Sequence, residues 1–276
     1  ETAGMHLSSR QQTAEMINRC NAGDAMVGNT LFSLAAMQVL SFDEGEHEEF
    51  IRQTLHRLSL HEVGHTLGLS HNMHASTMLT VDELKDPEVV AVNGMCNSVM
   101  EYPAINFALN PEDQTLYYDD SPGPYDYWVI EYGYSVGLDD EEAEDERLEA
   151  ILSKSTSPLL QFGNDADDMR GAGRGINPDV NIYDLSSDPV AYASERCELA
   201  NELLKGFVDK YSKSGKTFHD VRQAYLTLTG EYAIQLRVMT RQIGGVRYDR
   251  AGTDNIGEGK PFTPVSIDKS FRSNSC

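Results

Sequence analysis

Residues 61–72 read HEVGHTLGLSHN, which places three histidines, one glutamate and two glycines within twelve residues. On an α-helix, residues four apart lie about 40° apart around the axis, so His61 and His65 project from one face a turn apart. Two imidazoles so placed can converge on one ion at the roughly 2.0–2.1 Å that zinc requires. Glu62 points to one side of that pair, where its carboxylate can reach a water at the metal without displacing it. Gly68 can take the left-handed conformation that closes a helix, and a chain leaving there can turn back to bring His71 to the same ion. Three protein ligands with an open fourth position describe a catalytic zinc, whereas a structural zinc is closed by four. The spacing therefore predicts His61, His65 and His71 as metal ligands, Glu62 as general base and Zn2+ as cofactor. HExxH alone should arise by chance in on the order of one chain in a hundred of this size, and HExxHxxGxxH is rarer by a factor on the order of hundreds. His6, His47, His56, His74 and His219 occupy no position in the motif and read as ordinary surface or core histidines.

The elements that must position these residues are mostly helical. Apolar residues from Ser8 to Leu40 recur at three- and four-residue steps, broken at Asn21–Gly23, and predict two helices. SFDEGEHEEF reads as an acidic lead-in, followed by a long helix from Glu48 to Leu69 through Phe50, Ile51, Leu55, Leu58, Leu60, Val63 and Leu67. Val81 to Val92 predicts a short turn or helix limited by Pro87. Asn110 to Pro124 predicts a loop, SPGPYDYWVIEYGY a helix started by its prolines and stopped at Gly133, and LDDEEAEDERLEAILSKS a solvated helix with acids at its N-terminal end. GNDADDMRGAGRGINPDVNIYDLSSDP reads as a polar loop, with Asn164, Asp165, Asp167 and Asp168 lacking a calcium-loop pattern. Helices then follow from Asp188-Pro189 to about Tyr211 and, as one or two, from Thr217 to Ile243. The stretch after Tyr248 reads as a tail or linker.

The 276-residue chain carries 44 acidic against 22 basic side chains, a formal charge of -22. That charge disfavours nucleic acid or an anionic membrane as partner, since both need a positive surface. No run of 18 apolar residues exists to span a bilayer, and the first residues lack the basic start and apolar stretch of a signal peptide. Cys20, Cys96, Cys197 and Cys276 stand far apart, without a CxxC pair; their even number suggests at least one disulfide.

HExxHxxGxxH is the signature of the metzincin zinc endopeptidases, which also carry a methionine turn downstream. Residues 98–102 read SVMEY, with Met100 29 residues after His71. This segment resembles the turn of the astacin and serralysin branches, where the Tyr two places after the Met lies close to zinc and stabilises the transition state. The resemblance gives that catalytic role to Tyr102. Asn72, after the third His, differs from several well-known branches. HEVGHTLGLSHN, SVMEYP, GPYDYWVIEYGY, IGGV and KPFTPV together are similar to a group of bacterial, apparently exported zinc metalloproteases, over roughly Glu48 to Val265. The resemblance implies a secreted or periplasmic enzyme with protein or peptide substrates, and a substrate pocket walled on the leaving-group side by Pro103 to Phe107. Tyr125 to Tyr134 is a second candidate wall, although aromatics at helical spacing are more often core.

Metzincin catalytic domains begin with a twisted sheet, yet the 60 residues before His61 read as helices. The expected fold is mainly α, α+β at most, with a zincin-like active-site helix and Met turn and with the N-terminal sheet reduced or outside this chain. A single catalytic region is expected over 1–276. It divides into a helical lead-in (1–45), the zinc helix, Met turn and aromatic helix (46–134), a helical C-terminal part (135–248) and a tail or linker (249–276). The function expected is zinc-dependent endopeptidase. An inactive metal-binding or interaction module, a structural zinc domain, and a hydrolase of non-peptide amides or esters remain as alternatives.

Overall fold

The computed structural model describes residues 20, 22–165, 169, 175–211, 215–250 and 260–266. Among them seven α-helices dominate: α1 (Ala22–Leu40), α2 (Glu44–Thr66), α3 (Pro87–Asn93), α4 (Pro124–Tyr134), α5 (Glu141–Leu152), α6 (Pro189–Tyr211) and α7 (Phe218–Thr240). Short 3-10 turns join several of them. The strands among the described residues are β1 (Val246–Tyr248) and β2 (Phe262–Pro264), antiparallel with Arg247 opposite Thr263. The fold is mainly α, as the helical periodicity predicted. Two parts of that reading, the helix through Met16 and Ile17 and the loop acids Asp167 and Asp168, lie outside the described residues.

Local chemistry explains where the helices begin. Asp43 caps α2 by accepting from the Glu46 amide, and the Glu46 carboxylate returns to the Asp43 amide at 2.7 Å. The acidic segment expected to lead into α2 is thus its first turn, where negative charge is favourable against the helix dipole. Pro87 does not limit a helix but starts α3, since a first-turn residue needs no amide donor, and Asp86 accepts from the Glu88 and Val89 amides instead. Thr217 and Asp220 form the same reciprocal cap on α7, which runs as one helix. The expected tail after Tyr248 is corrected in part: in KPFTPV, Phe262–Pro264 pairs with β1, which begins at the last residue of IGGV. The extended pairing has no helical periodicity to reveal it, and a pair so short gives little alternation.

α1 packs against α2, α6 and α7. Phe32, Ala36 and Met37 of α1, Phe50 of α2, Leu199 and Leu203 of α6 and Leu228 of α7 share one core with Ile105, Phe107 and Tyr118. Ile105 and Phe107 lie in that core and Ala104 in a second one, so Pro103–Phe107, expected as a pocket wall, is packed inside. α2 departs from the apolar stripe read in its sequence. Its buried face is Phe50, Gln53, Thr54, Arg57, His61 and Gly64, while Ile51, Leu55, Val63 and Leu67 face outward. Hydrogen bonds decide this orientation: Gln53 Oε1 accepts from the Tyr117 and Tyr118 amides, and Arg57 donates to three carbonyls of the 98–101 segment. Turning the helix outward would strand those buried backbone groups.

α6 and α7 are joined by an ion pair inside the protein, Arg196 Nε to Glu231 Oε1 at 2.9 Å, with side-chain exposures of only 2% and 5%. The guanidinium also lies 4.2 Å over the Phe32 ring, tying α1 to the same point. Removing one partner of such a pair leaves the other charge buried. Glu231→Ala should therefore lose about 3–5 kcal/mol of stability in denaturant unfolding. An unchanged midpoint would show that the pair does not hold these helices together.

Candidate metal centre

α2 carries His61 and His65 on one face, and the helix gives way at Leu67 to Gly68, whose φ of +84° turns the chain back. His71 is thereby brought beside His65: their Nε2 atoms are 3.1 Å apart. All three Nδ1 atoms face hydrogen-bond acceptors. His61 Nδ1 meets the Val99 carbonyl at 2.8 Å, His65 Nδ1 the Leu69 carbonyl at 3.0 Å, and His71 Nδ1 the Asp165 carboxylate at 3.1 Å. A carbonyl or carboxylate only accepts, so a ring in its neutral form donates through Nδ1 and carries its lone pair on Nε2. Burial first, and then the Arg57 charge, push His61 down to about 3, which keeps its imidazole neutral.

The segment beneath these rings is fixed from several sides. Arg57, one turn before His61, donates to the carbonyls of Val99 at 2.5 Å and Glu101 at 3.0 Å. Asp126 of α4 accepts from the Ser98 hydroxyl and the Val99 amide, and the Met100 carbonyl accepts from the Asn72 amide. Burial raises the Asp126 carboxyl above its ordinary range, against these hydrogen bonds, which lower it. Met100 is fully buried against α2 at Gly64, where a Cβ would stand 2.3 Å from its sulphur. A side chain at Gly64 would therefore force the buried Met100 to shift. The turn also aims Tyr102, whose hydroxyl lies 2.9 Å from His71 Nε2.

Asn72, the position that differs from well-known branches, is buried and ties the turn after His71 to a distant segment. Its side chain accepts from the Gly163 amide and donates to the Gln161 carbonyl. That pairing sets Asp165 against His71. Sequence reading placed Asp165 only in a polar loop, because no spacing rule links residues 94 positions apart. A fourth candidate donor was also missed: Cys20 Sγ and the three histidine ligand atoms all lie within 4.8 Å of one another. Cys20 and Cys96 are both thiols, so neither forms the disulfide that the even cysteine count suggested, and Cys276 lies outside the described residues. Glu62 is not one of those four donors, and its Oε1 accepts from the Cys20 thiol at 3.4 Å at the edge of the set. The aromatic stretch of α4 is divided: Tyr125 is buried and stacks with Phe162, whereas Tyr127 and Tyr134 are exposed, and the Tyr134 hydroxyl donates to the Leu67 carbonyl.

A family model described as Met-zincin matches residues 43–272, from the cap of α2 to beyond β2. The chain belongs to that family. No curated protein and no solved structure matches it. Met-zincin membership makes the chain a metalloprotease in kind and implies zinc as its metal. The donors of this Met-zincin fit that ion. His61 Nε2 is buried without a hydrogen-bond partner, which is costly unless a cation takes its lone pair. Nitrogens bound tetrahedrally at the usual zinc distance would be about 3.4 Å apart, close to the separation of His65 from His71.

Carboxylates behind metal-ligating histidines hold the ring orientation and raise its basicity. Asp165→Ala in this Met-zincin should weaken zinc binding on the order of 10–100-fold, measured by competition with a chromogenic chelator. Unaltered affinity would mean that Asp165 does not support His71.

Proposed function

We propose that the chain is a zinc-dependent endopeptidase in which His61, His65 and His71 hold the metal, Glu62 is the general base, and Tyr102 assists at the oxyanion. The observation that supports this reading is the convergence of three inward-facing imidazole nitrogens on a point flanked by Tyr102 and Glu62, in a chain of the Met-zincin family. When bound, zinc supplies a Lewis acid that lowers the pKa of an adjacent water to about 7 and polarises a substrate carbonyl.

The chain's own residues supply the remaining chemistry. Glu62 is exposed and outside the ligand set, so its carboxylate is available to take the attacking water's proton and pass it to the leaving amine. The Tyr102 ring packs with Ala22, Ala25, Met73 and Val180, which fixes its hydroxyl at the site. That hydroxyl donates to the oxygen that gains charge as the peptide carbon becomes tetrahedral. Exposed Tyr127 and Tyr134 on α4 are left as candidate contacts for a substrate's side chains. No described helix is long and apolar enough to cross a membrane. The proposal places the enzyme outside the cytoplasm, secreted or periplasmic, as the sequence resemblance implies; recovery of native protein only from the cytosolic fraction would contradict that placement.

Zinc content and cleavage of a mixed peptide library, measured on the native chain and on Glu62→Gln, test the assignment. One zinc per chain is expected in both, with cleavage reduced on the order of 10^2–10^4-fold in the variant. Native protein purified without chelator and lacking zinc would remove the metal site. Zinc without cleavage would make the chain an inactive metal-binding module, and cleavage confined to simple esters or amides would make it a non-peptide hydrolase. Tyr102→Phe should lower turnover on the order of 10^2-fold with zinc retained, and an unchanged rate takes Tyr102 out of the mechanism.

A further inference from the structure

Residues 58–146 carry the three histidines, Glu62, the Met turn and α4, and they hold 19 acidic side chains with Lys85 as their one base. Glu101, Asp119 and Asp126 are buried, and the other acids are mostly exposed. α4 brings part of this charge to the metal centre, because both of its ends are tied there. At its start Asp126 accepts from the Ser98 hydroxyl and the Val99 amide, and at its end the Tyr134 hydroxyl donates to the Leu67 carbonyl, two residues past His65. Tyr127, Glu131 and Tyr134 stand four and three residues apart, so they line one exposed stripe of that helix. The acidic run from Asp139 to Glu146 starts within about 18 Å of Tyr134, the most that five extended residues span. All of its acids except Glu144 are exposed. The two bases beside the stripe are already matched, Lys154 with Glu131 at 3.1 Å and Arg147 with Glu144 at 2.6 Å.

We infer that the substrates are basic peptides, drawn in by this acidic field and held by a Lys or Arg side chain on the Tyr127–Glu131–Tyr134 stripe. The inference rests on the peptidase reading above and adds its substrate class. A tyrosine ring attracts a cation over its face, and a carboxylate between two such rings forms a charge-assisted hydrogen bond with the same ammonium or guanidinium. Lys154 already places an ammonium on Glu131; an exposed pair of this kind contributes little, so a substrate cation exchanges with it at small cost. The same field repels acidic segments, which makes it selective as well as attractive. Its range depends on salt, with a Debye length of about 30 Å at 0.01 M and about 8 Å at 0.15 M. The run from Asp139 to Glu146 therefore steers mainly at low salt, whereas Glu131 acts by contact.

The test uses the zinc-loaded full chain and three peptide libraries that share one random core, flanked by Lys, by Gln or by Glu. At about 0.01 M salt kcat/KM should fall in that order, with the Lys library on the order of tenfold or more above the Glu library. That advantage should shrink several-fold as salt rises to about 0.5 M. Glu131→Gln should lower the Lys-to-Gln ratio on the order of threefold. Equal rates for the three libraries at low salt, faster cleavage of the Glu library, or a Lys preference that salt or Glu131→Gln leaves unchanged would overturn the inference, with the peptidase reading still standing. Failure of the zinc-loaded chain to cleave any of the three libraries would overturn the peptidase reading itself.

Discussion

Three Nε2 lone pairs facing one another form an arrangement that repels itself until a cation stands among them. The protein enforces it by taking the opposite nitrogen of each ring: Val99, Leu69 and Asp165 each accept from one Nδ1. Leu69 lies in the turn just after His65, whereas Val99 and Asp165 come from distant segments, so the proposed ligand geometry depends on where those segments are held. His61 is the most constrained of the three, because its Nε2 is buried and has no hydrogen-bond partner.

α2 bears that constraint through its polar face. Arg57 enters the protein to bind the Met turn, His61 follows one turn later, and Gly64 completes the face with a hydrogen where a methyl would strike Met100. Burying Arg57 is tolerable among acids that are also buried: its charge opposes the burial that raises Glu101, Asp119 and Asp126. The outward direction of Ile51, Leu55 and Val63 follows from the same preference, since exposing an isolated aliphatic side chain costs less than leaving a buried guanidinium or backbone carbonyl unpaired. Position 72 extends the logic to the third histidine. Asn72 has no role at the metal, yet its amide binds the 161–163 segment that delivers Asp165.

The helices and the proposed site were legible in the sequence to different depths. The starts of α4 and α6 were marked by prolines and the end of α2 by Gly68, which are local backbone effects. The ligand spacing of His61, His65 and His71 was legible for the same reason, being set by one helix and one turn. The face that α2 buries was not, because its partners are carbonyls and amides that no pattern of side chains reports. Asp165 and Cys20 were missed because tertiary packing brings them to the histidines from 94 residues downstream of His71 and from the far side of α1. The strand at Phe262–Pro264 escaped because three residues are too few to show alternation.

Crystals of the full chain grown with zinc, and measured at the zinc absorption edge, test the central claim most directly. The account predicts one anomalous peak about 2.0–2.1 Å from Nε2 of each of His61, His65 and His71. A zinc-loaded protein whose peak lies elsewhere, or whose three histidines coordinate through other atoms, would contradict it.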